Sequence, residues 1–195
     1  MEMPKNYENT EVIGDYEKLQ AGGYICKIIS AKEEQSKAGK RMLVVAFDIA
    51  EGEHAGIYMR RYDEIKKANN DPNTIPKYPN NGIYRVVIAE DNGDCTKFFK
   101  TFITSVEQSN NGYDFKANNY DEKTLKDKLF GGIFREEEYE KNNGEIGTTT
   151  RLQWARSVEV IKEGKFTIPE IKKLPPKGDA FEGFGSSDAD DDLPF

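Results

Sequence analysis

The sequence predicts a mainly β domain with one or two helices. Residues 42–49 alternate in hydrophobicity, with an apolar odd face at Leu43, Val45, Phe47 and Ile49, as in a half-buried strand. Residues 24–29 are rich in strand-forming types and follow Ala21-Gly22-Gly23. Only residues 95–109 carry a strong helical repeat of apolar side chains. Strand signals therefore outnumber helix signals along most of the chain.

The remaining elements follow from local turn and cap signals. Strands are predicted at 24–29, 42–49, 57–62, 83–88, 129–138 and 149–161. Asp94 is the predicted N-cap of the 95–109 helix, and a short second helix is predicted at 121–128. Asn142-Asn143-Gly144 has the composition of a hairpin turn. Residues 165–174 are expected to fold back over the body through Phe166, Ile168 and Ile171.

Three strands, a helix and two strands is the element order of the OB-fold, a five-stranded Greek-key barrel. In this interpretation the third strand is 57–62, and an irregular insertion occupies about 63–94. A lead-in covers residues 1–20, the OB-fold domain covers 21–174, and a disordered acidic tail covers 175–195. The tail prediction rests on its many Gly, Ser and Asp residues and few apolar ones.

Charge is distributed unevenly along the 195 residues. The net charge is −7, but residues 178–195 contain six acidic residues and no Lys or Arg, so residues 1–177 sum to −1. A nearly neutral body can carry a basic groove, because binding depends on local potential. No apolar run is long enough to cross a membrane, and the N-terminus lacks a signal-peptide pattern. A cytoplasmic location is therefore expected.

Several chemistries are disfavoured by what the sequence lacks. Cys26 and Cys95 belong to no CxxC pair and are expected in the core, and His54 is the one histidine. Phosphate-cradling Gly-Lys-Ser/Thr and GxGxxG motifs are absent. Glu136-Glu137-Glu138 could offer carboxylates to Mg²⁺, but neighbours on a strand point to opposite faces. We therefore expect no enzymatic activity, no metal and no cofactor.

The predicted strand at 57–62 carries the main candidate for a binding surface. Alternation places Tyr58, Arg60 and Tyr62 on one face. Unpaired bases stack on aromatic rings, and cations hold the phosphates between them. The alternative is that tyrosines are simply good strand residues with solvated hydroxyls. In OB-folds the face built on strands 2 and 3 binds oligonucleotides, which favours the first interpretation.

Two smaller groups follow the same logic. Basic and aromatic residues of the insertion form a loop that could close over a strand: Lys66, Lys67, Lys77 and Tyr78. Trp154 and Arg156 share one face of the last predicted strand, although a single Trp between Leu152 and Val158 is more often a core residue. These residues complete the predicted contacts with single-stranded DNA.

The last six residues predict a second, separate binding site. Asp190, Asp191 and Asp192 precede Leu193, Pro194 and Phe195, whose free carboxylate ends the chain. A partner with a basic rim, an apolar pocket and a carboxylate-binding nest would fit this tip. A merely solubilising acidic tail would not need three residues with apolar side chains at its end.

The tip resembles the C-terminal peptide of bacterial single-stranded-DNA-binding proteins, which docks on replication, recombination and repair enzymes. The body is similar to single-strand-binding proteins of phages and mobile elements of Gram-positive bacteria. The matching stretches are Ala21–Lys27, Phe47–Glu53, Phe98–Ile103 and Arg156–Glu159. The resemblance spans most of residues 20–172, but the DNA-contact residues above are inferred from chemistry alone.

The sequence thus predicts a protein that coats single-stranded DNA without strong sequence preference and recruits partner enzymes through its tip. The alternative is an adaptor that does not bind DNA and occupies host repair or replication enzymes through the same tip. Both are compatible with a monomer or a homo-oligomer.

Overall fold

A computed structural model describes Met3, Lys5, Tyr7 and residues 17–69, 71 and 73–175. It has five strands and three α-helices within these residues. The strands are β1 (Gly22–Gln35), β2 (Arg41–Ile49), β3 (Ile83–Val87), β4 (Leu129–Glu140) and β5 (Ile146–Arg156). The helices are α1 (Ile57–Ala68), α2 (Lys97–Ser109) and α3 (Val158–Lys162). Short 3-10 turns lie at Asn80–Gly82 and Glu122–Leu125.

The strands form one open antiparallel sheet in the order β3-β2-β1-β4-β5. The long β1 pairs with β4 through its first half and with β2 along most of its length, with a bulge between Ile28 and Ser30. A bulge bends a strand and increases its twist. The edge strands β3 and β5 do not pair, but Asn81 Nδ2 donates to Thr149 Oγ1 across the gap, at 2.9 Å.

The core lies between the inner face of this curved sheet and α2. Its largest fully buried side chains are Phe47, Phe102, Phe130 and Phe134. The predicted inward face of β2 is confirmed, since Leu43, Val45, Phe47 and Ile49 are all buried. Met42 and Val44 on the other face are also buried.

The predicted strand at 57–62 is wrong, because these residues begin helix α1. Buried or half-buried positions are 57, 58, 59, 61, 62, 63 and 65, and the exposed positions recur at 60, 64 and 66–68, a helical period. The third strand of the sheet is β3 at 83–87, within the predicted 83–88 segment. The insertion therefore lies between β2 and β3 rather than at 63–94, and it contains α1.

The helix predicted at 95–109 is confirmed as α2, but its N-cap is Thr96 rather than Asp94. Thr96 Oγ1 accepts from Phe99 N at 3.1 Å and also donates to the Val87 carbonyl oxygen. The helix predicted at 121–128 is only a 3-10 turn, and the strand predicted at 149–161 ends at Arg156, where Ser157 caps α3. Cys26 is buried as expected, whereas Cys95 is exposed.

The segment after α3 returns to the sheet, as predicted, but through fewer side chains. The Phe166 ring lies directly on Gly23, where any Cβ would overlap it. Lys172 exchanges backbone hydrogen bonds with Glu136 and Glu138 of β4. Ile168 and Ile171 are exposed instead of packed. Among the described residues, no helix is long and apolar enough to span a membrane.

Candidate nucleic-acid interface

The predicted row of Tyr58, Arg60 and Tyr62 does not form, because these residues lie on a helix. Tyr58 is 4% exposed, and its ring lies edge-on to Phe47 with centroids 5.7 Å apart. Burial raises the pKa of its hydroxyl far above the usual range. The oxygen has no hydrogen-bond partner among the described residues. Tyr58 is thus a core residue and cannot stack on a base without unfolding α1.

Arg60 lies on the opposite side of α1, again because of helical spacing. Its guanidinium donates to the Ala55 carbonyl oxygen and lies 3.4 Å from the Glu17 carboxylate. Glu17 also contacts His54 Nδ1, at 2.5 Å. Arg60 therefore helps to hold residue 17 against the turn before α1, and it does not share a surface with Tyr62.

Tyr62, Lys66 and Tyr78 do come together, and we call them the tyrosine patch. The rings of Tyr62 and Tyr78 have centroids 5.5 Å apart and are inclined by 60°. Lys66 Nζ lies 4.6 Å from the centre of the Tyr62 ring, in cation–π range. Lys66 Nζ also forms an ion pair with Asp63 at 2.7 Å, and this hydrogen bond raises the pKa of Lys66.

Helix α1, which carries Tyr62, and the side chain of Tyr78 are held in place by contacts from distant parts of the chain. Asp48 of β2 is buried, and its carboxylate accepts from the backbone N–H groups of Tyr58 and Met59, at 3.0 and 2.8 Å. It thereby caps α1, whose own N-cap residue, Gly56, has no side chain to do so. The Tyr78 hydroxyl donates to the Phe47 carbonyl oxygen at 3.0 Å.

Gly82 completes this support because a larger residue would not fit. A Cβ there would lie 2.7 Å from a Tyr78 ring carbon and 2.9 Å from Tyr58. Lys67 and Lys77, the other cations predicted in this region, are both exposed. In the chain, Lys67 directly follows Lys66 and Lys77 directly precedes Tyr78. The patch thus combines two half-buried rings with the exposed ammonium of Lys66.

A cross-strand row on the outer face of the sheet was missed by sequence reasoning. Lys32 of β1 and Arg85 of β3 both pair directly with Val44 of β2, so all three side chains share one face. Lys32 and Arg85 are exposed, and Arg85 bonds the Asn80 side chain at 3.0 Å. If residues 83–88 had been recognised as the third strand, their alternation would have indicated Arg85 as a residue of the outer face.

Trp154 and Arg156 lie on one face of β5, as predicted. The Arg156 guanidinium carbon is 5.8 Å from the centre of the indole. Trp154 is partly exposed and lies outside the main core, so the alternative of a buried core tryptophan is wrong. Burial raises the pKa of Tyr84 to about 12, and the positive charge of Arg156 reduces this rise.

The predicted partner-binding tip cannot be placed on this surface. The tip, Asp190 to Phe195, lies outside the described residues, together with the tail from 176 onwards. Within the described ranges, no three or more His, Cys, Asp or Glu side chains are grouped so that they could hold a metal ion.

Comparison with known protein families finds a match to the first half of the chain. Residues 5–98, just under half of the chain, are similar to the family described as "Protein of unknown function (DUF669)". No curated protein matches the chain. The matched region contains β1, β2, α1 and β3, and so includes the tyrosine patch and the Lys32–Val44–Arg85 row. It ends before β5, which carries Trp154 and Arg156.

Proposed function

We propose that the chain binds single-stranded DNA on the tyrosine patch and the adjoining outer face of β2 and β3. The strand order supports an OB-fold origin for this surface. In an OB-fold, strand 1 pairs with strands 2 and 4, and a helix connects strands 3 and 4. β1, β2, β3, α2, β4 and β5 follow this pattern, with α1 inserted before β3.

The observation that carries the proposal is the pair of neighbouring rings with a cation over one of them. Stacking of a base on an aromatic side chain contributes about 1–3 kcal/mol and tolerates any base. Tyr62 and Tyr78 are half-buried, so each is fixed by packing while part of its ring remains accessible. Fixed rings lose little conformational entropy when a base stacks on them.

Cations continue from the patch onto the sheet. Asn80, which binds Arg85, is two residues after Tyr78, so Arg85 lies beside the patch. Lys32 lies beyond it, across Val44. Phosphates on this path would meet Lys77, Lys66, Arg85 and Lys32, and such contacts carry no sequence preference. The proposed activity is therefore coating of single strands, with no catalytic step.

Tyr62→Ala in the full-length chain tests this proposal. Fluorescence anisotropy with labelled oligo-dT should show binding weakened by about 1–3 kcal/mol at low salt. Tyr120→Ala is the matched control, because Tyr120 is an exposed tyrosine between α2 and β4 whose ring contacts Phe115 rather than the patch. Equal affinities of the two variants would contradict the assignment of the patch. No binding by the wild-type chain would leave only the adaptor hypothesis.

We further propose that the C-terminal tip recruits replication, recombination or repair enzymes. The support is the sequence alone: three Asp residues followed by Leu193, Pro194 and a terminal Phe195. Deletion of residues 193–195 should abolish capture of such an enzyme while leaving oligo-dT binding in place. Retained capture would refute the role of the apolar end.

A further inference from the structure

A cleft opens where α2 meets the end of β5 and the start of α3. Its volume is about 360 Å³. Cations, hydroxyls and one side-chain amide line most of it: Lys100, Thr101, Thr104, Gln108, Arg156 and Ser157. It lies at the Arg156 end of β5, whereas Thr149, near the other end, bonds Asn81 close to the tyrosine patch, and the proposed function above does not use it.

The chemistry of this lining favours an anion. None of the lining residues is acidic, and neither Lys100 nor Arg156 forms a salt bridge within the part of the chain that the structure describes. Lys100 also lies in the first turn of α2, where the helix dipole adds positive potential. A second cleft, beside β1, differs because Glu51 and Glu53 line it with Lys162.

A row of side chains on β5 connects the two regions. By register, Thr149 pairs with Glu137, Arg151 with Arg135 and Trp154 with Ile133, so they share one face of the sheet with Arg156. Thr149 bonds Asn81, three residues after Tyr78. From Thr149 to Arg156 the strand covers about 20 Å, because its seven steps include a bulge and pair with six steps of β4 at ~3.3 Å per residue. Arg151 and the partly exposed Trp154 lie along this length.

We propose that the cleft binds a backbone phosphate of the same single strand that stacks on the tyrosine patch. In this arrangement Lys100 and Arg156 hold the phosphate, the Thr104 hydroxyl donates to it, and Trp154 stacks on the adjacent base. The strand follows β5 between the two sites. This inference rests on the proposed function and extends it, because it assigns a second contact region and a minimum strand length.

Trp154 allows a direct test, because it is the chain's one tryptophan and its indole lies beside Arg156. Oligo-dT of about 4 to 16 nucleotides, the range of OB-fold site sizes, is titrated into the full-length protein while tryptophan fluorescence is recorded. Short oligonucleotides should bind the tyrosine patch and leave the fluorescence unchanged. Longer ones should quench it, and the affinity should rise at the same length.

The variants are Lys100→Gln, Arg156→Gln and their combination, with Lys116→Gln as control. Lys116 is exposed, follows α2 and does not line the cleft. Each phosphate contact contributes about 0.7 to the slope of log affinity against log salt on a single strand. The double variant should therefore lose about 0.7 from this slope with long oligonucleotides and nothing with short ones.

Thermal unfolding of each variant checks that the fold is intact, and exposed Lys100 can be replaced without disturbing the core. The inference is supported if the cleft variants show a smaller salt slope and lose the fluorescence quenching, while Lys116→Gln behaves like the wild type. If the wild type binds oligo-dT but the cleft variants match Lys116→Gln, the inference fails and the proposed function stands. If the wild type binds no oligo-dT, both fail.

Discussion

The two longer helices, α1 and α2, are held in place in different ways. α2 is capped by Thr96, the residue just before it, and buries Phe102, Ile103 and Val106 in the core. α1 follows a glycine with a left-handed backbone and takes its cap from Asp48, ten residues earlier on β2. One helix is specified by neighbouring residues, whereas the other depends on a strand already in place. Tyr62, one of the two proposed DNA-stacking rings, lies on the second kind of helix.

Asp48→Ala should have the largest effect, because it removes the cap that α1 cannot replace locally. The N–H groups of Tyr58 and Met59 would lose their acceptor, and Tyr58 is buried. An unsatisfied buried donor costs about 1–3 kcal/mol, so we expect a loss of roughly 3 kcal/mol in the free energy of unfolding. Urea denaturation measures this loss, and oligo-dT affinity should fall with it.

Thiol labelling shows whether this loss is local to α1. Burial raises the pKa of the Cys26 thiol, and Asp48 raises it further, so Cys26 should react very slowly in the native protein. Exposed Cys95, just before α2, should react at once. In Asp48→Ala, the labelling rate of Cys26 should increase, while the labelling rate of Cys95 should stay unchanged. An unchanged Cys26 rate would mean that α1 remains docked without its cap.

Thr96→Ala is the corresponding change at α2 and should cost less. The cap to Phe99 N and the bond to the Val87 carbonyl oxygen are both lost. Loss of an N-cap side chain typically costs about 1 kcal/mol. Thr96→Ser keeps the hydroxyl and serves as the control in the same urea experiment. A loss as large as that of Asp48→Ala would remove the distinction between the two helices.

This distinction also explains which elements could be predicted from the sequence. The β2 alternation, the α2 repeat and the β4–β5 hairpin turn are local signals, and all three predictions are confirmed. The signal for α1 is not local: Ile57 to Tyr62 is rich in strand-forming types, and no capping side chain precedes it. Tertiary contacts from Asp48 and Phe47 outweigh that β propensity.

The residues of the candidate site could be predicted only where their local backbone structure was predicted correctly. Trp154 and Arg156 were predicted to share a face because their strand was recognised. Tyr58 was assigned to the surface because a period of two was assumed where the backbone has a period of 3.6. The proximity of Tyr62 to Tyr78 depends on how the chain between β2 and β3 folds back. No spacing rule within one segment could have indicated it.

Tyr58→Phe should have the smallest effect, and it separates the structural role of Tyr58 from a role in binding. The change keeps the ring that packs on Phe47 and removes a hydroxyl that has no partner among the described residues. Because a buried unsatisfied hydroxyl is unfavourable, stability should stay within about 1 kcal/mol of the wild type, on the stabilising side. Oligo-dT affinity should not change. A clear loss of affinity without a loss of stability would instead indicate that the hydroxyl contacts the nucleotide, and that α1 opens when DNA binds.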